Sequence, residues 1–402
     1  MLVEFKVKNF KSIKDDMIFS METGYNVKKT AKTSFNAFEV QKDLKLLKSS
    51  LIFGANASGK SNFLEALWEL RTLVVSPTRQ VTEPLSYQPY KSNVKNLPTE
   101  YELTFFHDAQ LYHYAIGFTD QAIHHEKLEI DDTVIWDRSH QDLPELRDNQ
   151  TLIDYYQSRN QKAAASVLKW FETNIVFVNK YTSKDRSSLF ELLRSPEKKK
   201  QFLAILQHAD FNITGVQVVE RQSVEFIKGI LGELRPNPER NNALMFLKAL
   251  DLQFVHQSEE TSDFLISFDQ ESAGTQKAVI LILALLAHQG KVILQDEFDD
   301  SFHLSLSTMF LSLINSEFQY SQFILTSHEI SLMDHNMRND QIYFMSKNKF
   351  GESEIISLFD YKTELKRNDA KYSKKYLQGR YGAVPNIDVD EILEVMRPDQ
   401  EV

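Results

Sequence analysis

A glycine-containing motif of eight residues constrains this chain more than any other feature of its sequence. It reads Gly-Ala-Asn-Ala-Ser-Gly-Lys-Ser from Gly54 to Ser61, directly after the apolar run 51–53 and directly before a helical pattern at 60–73. The backbone N–H groups of such a loop, and the N-terminus of the helix after it, point at phosphate oxygens. Gly54 and Gly59 let the backbone approach without Cβ clashes. The motif therefore predicts a strand–loop–helix unit that binds a nucleoside triphosphate.

Two polar residues of this phosphate loop (residues 54–61) have specific chemical roles. The Lys60 ammonium can reach the β- and γ-oxygens of a triphosphate, and the Ser61 hydroxyl can bind Mg²⁺. The sequence therefore predicts ATP and Mg²⁺ as cofactors. The predicted nucleotide-binding residues of the loop and the first helical turn are Gly54, Ala55, Asn56, Ala57, Ser58, Gly59, Lys60, Ser61 and Asn62.

The composition is that of an ordinary globular protein. Hydrophobic residues make up 42% and charged residues 25% of the 402 residues. The best candidate for a membrane span, residues 278–287, is shorter than the roughly 18 apolar residues that a spanning helix needs. The chain has no cysteine, which excludes disulfides, thiol catalysis and cysteine-ligated zinc. We therefore expect a cytoplasmic protein without membrane contact.

The charge balance limits any nucleic-acid contact to a local surface. The 46 basic and 56 acidic residues give a net charge of −10, so the surface as a whole does not attract a polyanion. One segment, 361–382, interleaves lysines and arginines with tyrosines. It is either a solvated surface segment whose tyrosines pack on the core, or a surface for nucleic acid or an acidic partner.

The hydrophobic pattern divides the chain into three parts. Residues 1–141 are rich in strands around the loop helix, 142–248 change to helical segments typical of an insertion, and 249–402 resume an alternation of strands and helices. This alternation predicts an α/β fold. The predicted strands are 2–7, 51–53, 101–106, 112–118, 264–268, 292–294, 323–325 and 342–345, and the predicted helices are 60–73, 163–171, 202–208, 273–288 and 304–314.

Two adjacent acids form a second candidate site. Asp296 and Glu297 follow the apolar run 292–294, at the predicted carboxyl end of a strand, where α/β sheets place ligand-binding side chains. Asp296 would hold the Mg²⁺ shell through water. Glu297 would orient or deprotonate the water that attacks the γ-phosphate.

Two further features have both a functional and a structural interpretation. Small and hydroxyl residues before the helix at 278–286 could bind an anion through Ser272, Gly274 and Thr275, or could simply cap the helix. His328 ends the strand at 323–325, where it would touch a γ-phosphate if that strand lies beside the one that ends at Asp296. It could equally be a structural histidine at a strand end.

The order of these features resembles the nucleotide-binding heads of ABC-type ATPases, and within them the RecF/SMC-like branch. That branch opens with a strand followed by Asn-Phe-[Arg/Lys]-Ser, here Asn9 to Ser12. A narrower resemblance is to stand-alone ATPases of bacterial abortive-infection and anti-phage operons, including the ATPase subunit of PARIS-type systems. It rests on motifs spread over nearly the whole chain: Glu271-Ser-Ala-Gly-Thr, Asp296-Glu-Phe-Asp-Asp-Ser-Phe-His, Thr326-Ser-His, Asp340-Gln-Ile-Tyr-Phe and Tyr376-Leu-Gln-Gly-Arg-Tyr-Gly-Ala-Val-Pro.

The resemblance implies an ABC-ATPase head with a RecA-like core, an antiparallel β part and an inserted helical subdomain. It also implies a head-to-tail homodimer, or a higher homo-oligomer, in which the nucleotide lies between the phosphate loop of one subunit and Ser272–Gln276 of the other. Glu297 would then be the catalytic carboxylate, and His328 the switch histidine that senses the γ-phosphate. Asp296 would support Mg²⁺.

Three other residues carry roles only through this resemblance. Lys11 and Ser12 would reach the nucleotide from the first strand, and Gln88 is the candidate for the glutamine that bridges Mg²⁺ and water. The sequence also departs from transporter heads. Glu271-Ser replaces the Leu-Ser that opens the transporter signature, and Asp299-Asp300 follow the catalytic acid, so the dimer geometry can differ.

The sequence leads to two functional hypotheses. The first is an ATPase that acts as sensor and scaffold of an anti-phage system, answers a phage protein and controls a separate toxic effector encoded nearby, a nuclease, because little sequence follows Pro385. The alternative is a RecF-like repair or recombination ATPase whose basic segment faces duplex DNA. A transporter role is disfavoured by the lack of a spanning segment, and a small-molecule kinase would not need the Ser272 and Asp296 motifs.

Overall fold

The structure is a computed structural model, and it describes residues 1–25, 27, 30–92, 96–140, 145–221, 249–259, 262–361, 371–382 and 389–396. The strands are β1 Leu2–Lys8, β2 Met17–Ser20, β3 Ala37–Gln41, β4 Leu44–Leu47, β5 Ser49–Gly54, β6 Thr99–His107, β7 Gln110–Phe118, β8 Ile123–Ile130, β9 Thr133–Asp137, β10 Ile175–Phe177, β11 Gly215–Arg221, β12 Ala249–His256, β13 Phe264–Ser267, β14 Val292–Gln295, β15 Gln322–Ser327, β16 Ile342–Lys347 and β17 Ser353–Ser357. The helices are α1 Lys60–Val75, α2 Leu152–Gln157, α3 Lys162–Asn174, α4 Ser183–Glu191, α5 Pro196–His208, α6 Ala273–Ala287, α7 Leu304–Ile314, α8 Tyr372–Leu377 and α9 Val389–Val395.

A largely parallel sheet forms the centre of the fold, in the order β10-β14-β15-β5-β16-β17. The first five strands run parallel, and β17 pairs antiparallel with β16. Every residue of β5, β14 and β15 is buried, because layers of the protein cover both faces of the sheet. Short apolar runs such as Leu51-Ile-Phe are therefore strands of the interior. Their carboxyl ends meet along one edge.

A second sheet is antiparallel, in the order β2-β1-β6-β7-β8-β9, and helix α1 packs between the two sheets. Phe63 of α1 lies 5.8 Å from Phe5 of β1 and 5.2 Å from Phe19 of β2, measured between ring centroids. The buried Gln322 amide joins the sheets, since it accepts from Leu2 N at 2.7 Å and donates to Leu2 O at 2.8 Å. The helix that begins at the phosphate loop is thus held from both sides.

This architecture confirms the predicted fold class. A largely parallel α/β sheet and a separate antiparallel sheet are both present, as the sequence predicts. Within the described residues, no helix combines the length and the apolar character needed to cross a membrane.

The segment 142–248 differs from the predicted helical insertion in two places. Its described part, 145–221, holds α2 to α5, but it also contributes β10 to the edge of the central sheet and β11, which pairs with β12. Ile175–Phe177 is only three residues long, and an apolar run of that length cannot be told from the end of a helix by periodicity. Residues 222–248 lie outside the described residues, and the domain boundaries at 141 and 248 stay a prediction.

The tyrosines of the basic segment belong to the core in its described part. Tyr376 and Tyr381 are 5% and 3% exposed and stack on Phe344 of β16, with ring centroids 5.5 and 4.6 Å away. Lys371, Lys374 and Arg380 are exposed. Residues 362–370 of this segment, and 383–385 of the C-terminal motif, lie outside the described residues.

Candidate functional site

The phosphate loop connects β5 to α1, and its two glycines are required by their surroundings. A Cβ on Gly54 would lie 2.2 Å from the Met345 carbonyl oxygen of β16. A Cβ on Gly59 would lie 2.3 Å from the Ser353 hydroxyl, and Gly59 has a φ of 107°. Residues with a side chain rarely adopt that φ. The backbone of the loop can therefore follow this path only with glycine at position 59.

Lys60 begins α1 and is 5% exposed. Its ammonium donates to two carbonyl oxygens of the loop, Gly54 O at 2.9 Å and Ala55 O at 3.1 Å. Burial lowers the pKa of Lys60, while the negative charges of Asp296, Glu297 and Asp299 act in the opposite direction. A phosphate group that replaced the two carbonyls would gain a partly desolvated cation as its partner.

One cleft brings together most of the predicted site residues. It has a volume of about 400 Å³ and is lined by loop residues 56–62 together with Asp296, Glu297, His328 and Lys347. These four side chains come from the carboxyl ends of β14, β15 and β16. In the sheet, β15 and β16 flank β5, and β14 lies next to β15. Parallel strands end at the same edge, and this geometry brings the separate motifs to one phosphate cleft.

Hydrogen bonds from both neighbouring strands hold Asp296 in place. Thr326 of β15 donates its hydroxyl to Asp296 Oδ1 at 2.5 Å. On the other side, the Asn179 amide accepts from Asp296 N at 2.8 Å and donates to Asp296 O at 3.1 Å. Asn179 follows β10 directly after Val178. The metal-supporting carboxylate predicted from sequence is therefore oriented by side chains of two other segments.

The backbone of Glu297 has an unusual conformation, with a φ of 48°. Left-handed geometry at a residue other than glycine is costly and persists where surrounding groups impose it. Glu297 N donates to the Thr326 hydroxyl at 2.7 Å, and the Lys277 ammonium donates to Glu297 O at 2.5 Å. These contacts hold the backbone, while the carboxylate itself lines the cleft.

His328 is exposed at the end of β15, and it lines the same cleft. The next residue, Glu329, donates its N–H to Asp299 Oδ2 at 3.0 Å. The turn that carries the histidine is thus tied to the turn after Glu297.

The segment from Ser272 to Gln276, called here the signature segment, does not line this cleft. Ser272 is the N-cap of α6, and its hydroxyl accepts from Thr275 N at 3.1 Å. The preceding Glu271 bonds to His256 Nε2 at 2.7 Å. Gly274 packs on the turn after Glu297, because a Cβ there would lie 2.8 Å from Ser301 O. None of the described residues of the signature segment lines the phosphate cleft of its own chain.

A second cleft of about 760 Å³ adjoins the first and shares Asn62 and Lys347 with it. Lys11 and Ser12 line this second cleft. The Ser12 hydroxyl accepts from the Asn62 amide at 2.7 Å, directly beside Gly59, and the Lys11 ammonium forms an ion pair with Glu65 of α1. Ser12 therefore brings the segment after β1 to the phosphate loop, and the contact of Lys11 and Ser12 with the nucleotide stays a prediction.

Gln88 also lines the second cleft and does not line the cleft that contains Asp296 and Ser61. Its carbonyl oxygen accepts from Lys11 N at 2.8 Å, which fixes the residue beside the first strand. The metal-bridging role of Gln88 stays a prediction. The amide that does lie beside Asp296 is that of Asn179.

Comparison with known proteins places the chain in a family. A family model described as "AAA domain, putative AbiEii toxin, Type IV TA system" matches residues 49–334, more than half of the chain. The chain belongs to this family. The matched region is an AAA domain, so the chain carries an ATPase domain of the AAA type. A search of curated proteins gives no match.

Three solved structures to which the chain is similar are SMC head domains. The SmcHead bound to the C-winged helix domain of ScpA is 14% identical, with 90% of this chain and 98% of that chain covered and a TM-score of 0.47. The SMC head domain from Thermotoga maritima is 14% identical, with 89% and 98% covered and a TM-score of 0.42. The Smc head domain with an extended coiled coil, bound to the C-terminal domain of ScpA derived from Pyrococcus furiosus, is 12% identical, with 90% and 98% covered and a TM-score of 0.40.

The oxygen atoms of the cleft in this AAA-family chain suit a hard cation bound together with phosphate. Mg²⁺ is usually held by one or two protein oxygens plus substrate phosphates and water, and the cleft offers the Ser61 hydroxyl and the Asp296 carboxylate. Within the described residues, no group of three or more histidines and acids could hold a metal by itself. Ser58 Oγ, at the same cleft, is buried without a hydrogen-bond partner in the described part of the chain, as is suitable for a phosphate contact.

The sequence analysis missed three residues that build this site. Asn179 and Thr326 orient Asp296, and Lys347 adds a cation to the cleft. A usable signal existed for Asn179, because Ile175-Val-Phe-Val-Asn is an apolar run that ends in a polar residue, like the runs before Asp296 and His328. Lys347 had no such signal, since lysines at strand ends are common.

Proposed function

We propose that the chain hydrolyses ATP with Mg²⁺ as a head-to-tail homodimer and that this cycle controls a separate toxic effector in an anti-phage defence system. One observation carries the enzymatic part of the proposal. The phosphate loop, two acids and a histidine line one cleft, whereas the signature segment of the same chain lies outside it. Such a site has the groups for phosphoryl transfer to water, and the signature segment of a second copy can cover it.

The residues of the cleft divide the chemistry among them. The loop amides and Lys60 bind the β- and γ-phosphates, and Ser61 and Asp296 hold the cation. When bound, Mg²⁺ neutralises charge that develops on the phosphate oxygens. Glu297 orients a water in line with the γ-phosphate and accepts its proton, and His328 donates a hydrogen bond to the γ-phosphate. The Thr326 and Lys277 contacts keep Glu297 in position while this occurs.

The signature segment completes the site of the partner copy in this proposal. Ser272, Gly274 and Thr275 stand at the N-terminus of the 15-residue helix α6, where N–H groups and the helix dipole favour an anion. Gln276 holds the segment in shape, since its amide donates to Glu271 O at 2.9 Å. A γ-phosphate would then join two protomers, so that ATP binding drives dimerisation and hydrolysis reverses it.

The defence role is the part of the proposal that does not depend on the geometry of the cleft. It is supported by the family description, which includes a type IV toxin–antitoxin system, and by the resemblance of the C-terminal motif to anti-phage ATPases. In this role the ATP-bound dimer holds an effector, proposed to be a nuclease, in the cytoplasm and releases it when a phage protein binds.

The RecF-like alternative is less well supported by the structure than by the sequence. The buried Tyr376 and Tyr381 have no ring face available to stack on bases. Three exposed cations in the described part of that segment, Lys371, Lys374 and Arg380, remain as phosphate contacts. DNA binding is therefore an outcome that the test must be able to detect.

Mass photometry of Glu297→Gln with and without ATP tests the proposal. We expect an ATP-dependent dimer that captures the product of the neighbouring gene on co-expression. The double variant Glu297→Gln/Lys60→Ala, which cannot bind the triphosphate, should stay monomeric under the same conditions. A monomer in both samples would contradict the trans-site mechanism. An ATP-dependent dimer that ignores the neighbour but shifts onto duplex DNA in low salt would favour the RecF-like alternative.

A further inference from the structure

The second cleft differs in chemistry from the phosphate cleft beside it. Three aromatic side chains line it, those of Tyr87, Tyr90 and Phe350, together with the ring of Pro89. The Tyr90 hydroxyl donates to Phe350 O at 2.7 Å and so ties the loop before β6 to the turn between β16 and β17. Flat, uncharged π-systems stack well on such rings. We call this second cleft the aromatic cleft.

The charges of the two clefts suit different parts of a nucleotide, the phosphates in the phosphate cleft and the base in the aromatic cleft. Lys60 and the loop amides give the phosphate cleft its positive end. In the aromatic cleft, the Lys11 ammonium is already paired with Glu65, which also lies 3.5 Å from the Lys180 ammonium. Lys11 is therefore a weaker attractor for a phosphate than Lys60. Because the clefts share Asn62 and Lys347, one molecule can place its phosphates in the first and its base in the second.

Gln88 brings an amide to the wall of the aromatic cleft. Its backbone is fixed by the bond from Lys11 N to Gln88 O at 2.8 Å. The side chain is exposed, and no residue in the described ranges donates to its amide or accepts from it. An amide carries a donor and an acceptor side by side. That pair matches the N6 amino group and N7 of adenine, whereas the corresponding O6 and N7 of guanine are both acceptors.

We propose that the aromatic cleft holds the nucleobase and that Gln88 selects adenine over guanine. The inference rests on the proposed nucleotide site at the phosphate loop. It gives Gln88 a specificity role in place of the metal role that the sequence suggested. Lys91 and Ser92 also line the cleft.

The test compares binding of ATP, GTP and inorganic triphosphate, each with Mg²⁺, by isothermal titration calorimetry on the full chain carrying Glu297→Gln. We expect ATP to bind about tenfold more tightly than GTP, the discrimination typical of one bidentate amide contact. Gln88→Met keeps the length and stacking of the side chain without its hydrogen bonds. It should weaken ATP about tenfold and leave GTP and inorganic triphosphate unchanged. Gln88→Lys, which suits the guanine acceptors, should reverse the preference.

Gln121→Met is the matched control, because Gln121 is exposed on the turn between β7 and β8 and lines neither cleft. It should bind all three ligands as the parent does. Equal ATP and GTP affinities in the parent, or a Gln88→Met variant that weakens both nucleotides equally, would overturn the role of Gln88 while triphosphate binding preserves the proposed function. Loss of inorganic triphosphate binding in the parent would instead contradict the phosphate cleft itself.

Discussion

Helices α1 and α6 both have a small residue as N-cap, yet their N-termini differ in how their backbone donors are used. The N-cap of α1 is Gly59, which has no side chain to cap the helix. The N-cap of α6 is Ser272, whose hydroxyl accepts from Thr275 N. The first leaves its amides for a ligand, and two acids and a histidine surround it in the same chain. The second is already capped and stands apart from that cleft. The comparison shows that a helix N-terminus with a small N-cap residue forms a site within one chain only where the edge of the sheet adds functional side chains.

The largest effect should come from the acid that only the α1 site has. Glu297→Gln keeps the size of the side chain but removes the base, so kcat should fall by about 10³-fold, within the range typical of general-base catalysis. ATP affinity should stay within about threefold, because Lys60 and the loop amides are unchanged. Single-turnover hydrolysis and equilibrium binding measure the two quantities. Hydrolysis at the parent rate would remove Glu297 from the mechanism.

The next effect concerns the loop geometry that distinguishes α1. Gly59→Ala forces a side chain into a residue with a φ of 107°, where its Cβ would meet Ser353 Oγ at 2.3 Å. We expect ATP affinity to fall by about 100-fold as the loop distorts. Gly290→Ala is the matched control. Gly290 also has a positive φ, 73°, but nothing lies within 4 Å of its Cβ position. A binding loss of equal size in both variants would mean that destabilisation, and not the loop, is responsible.

How much of the site could be predicted from the sequence depends on how far apart along the chain the interacting residues lie. The phosphate loop and the Asp296-Glu297 strand end are local patterns, and the structure brings both to one cleft, as expected. The location of Gln88 depends on the bond from Lys11 N, which joins residues 77 positions apart along the chain, and a local pattern does not contain that information. Asn179 was missed for the same reason. Its role arises only when β10 pairs with β14, and the apolar run before Asn179 indicates a strand end without showing which strand it pairs with.

A substitution at Ser272 can test whether the N-terminus of α6 contributes to dimerisation as well as capping the helix. Ser272→Asp preserves the cap, since aspartate caps helices as well as serine, but it places a negative charge against any phosphate brought by a partner copy. We expect unchanged thermal stability and ATP affinity of the monomer, with ATP-dependent dimerisation weakened about 30-fold in analytical ultracentrifugation. Ser272→Ala should show the opposite pattern, with stability lowered by about 1 kcal/mol. Normal dimerisation of Ser272→Asp would leave the signature segment as a cap only.

The smallest effect concerns Asn179, which follows β10 and supports the α1 site next to β14. Its amide makes two hydrogen bonds to the backbone of Asp296, at 2.8 and 3.1 Å. Asn179→Ala should therefore loosen the metal-supporting carboxylate, raise the Mg²⁺ concentration needed for half-maximal hydrolysis about tenfold, and lower kcat less at saturating Mg²⁺. Asn174→Ala, which removes an amide that bonds to Trp170 O at the end of α3, is the control and should leave the Mg²⁺ dependence unchanged. A fall in kcat that excess Mg²⁺ does not relieve would show that Asn179 acts on the attacking water and not through Asp296. In that case the segment after β10 would contribute a side chain directly to the chemistry, as the segments after β14 and β15 do in the proposed mechanism.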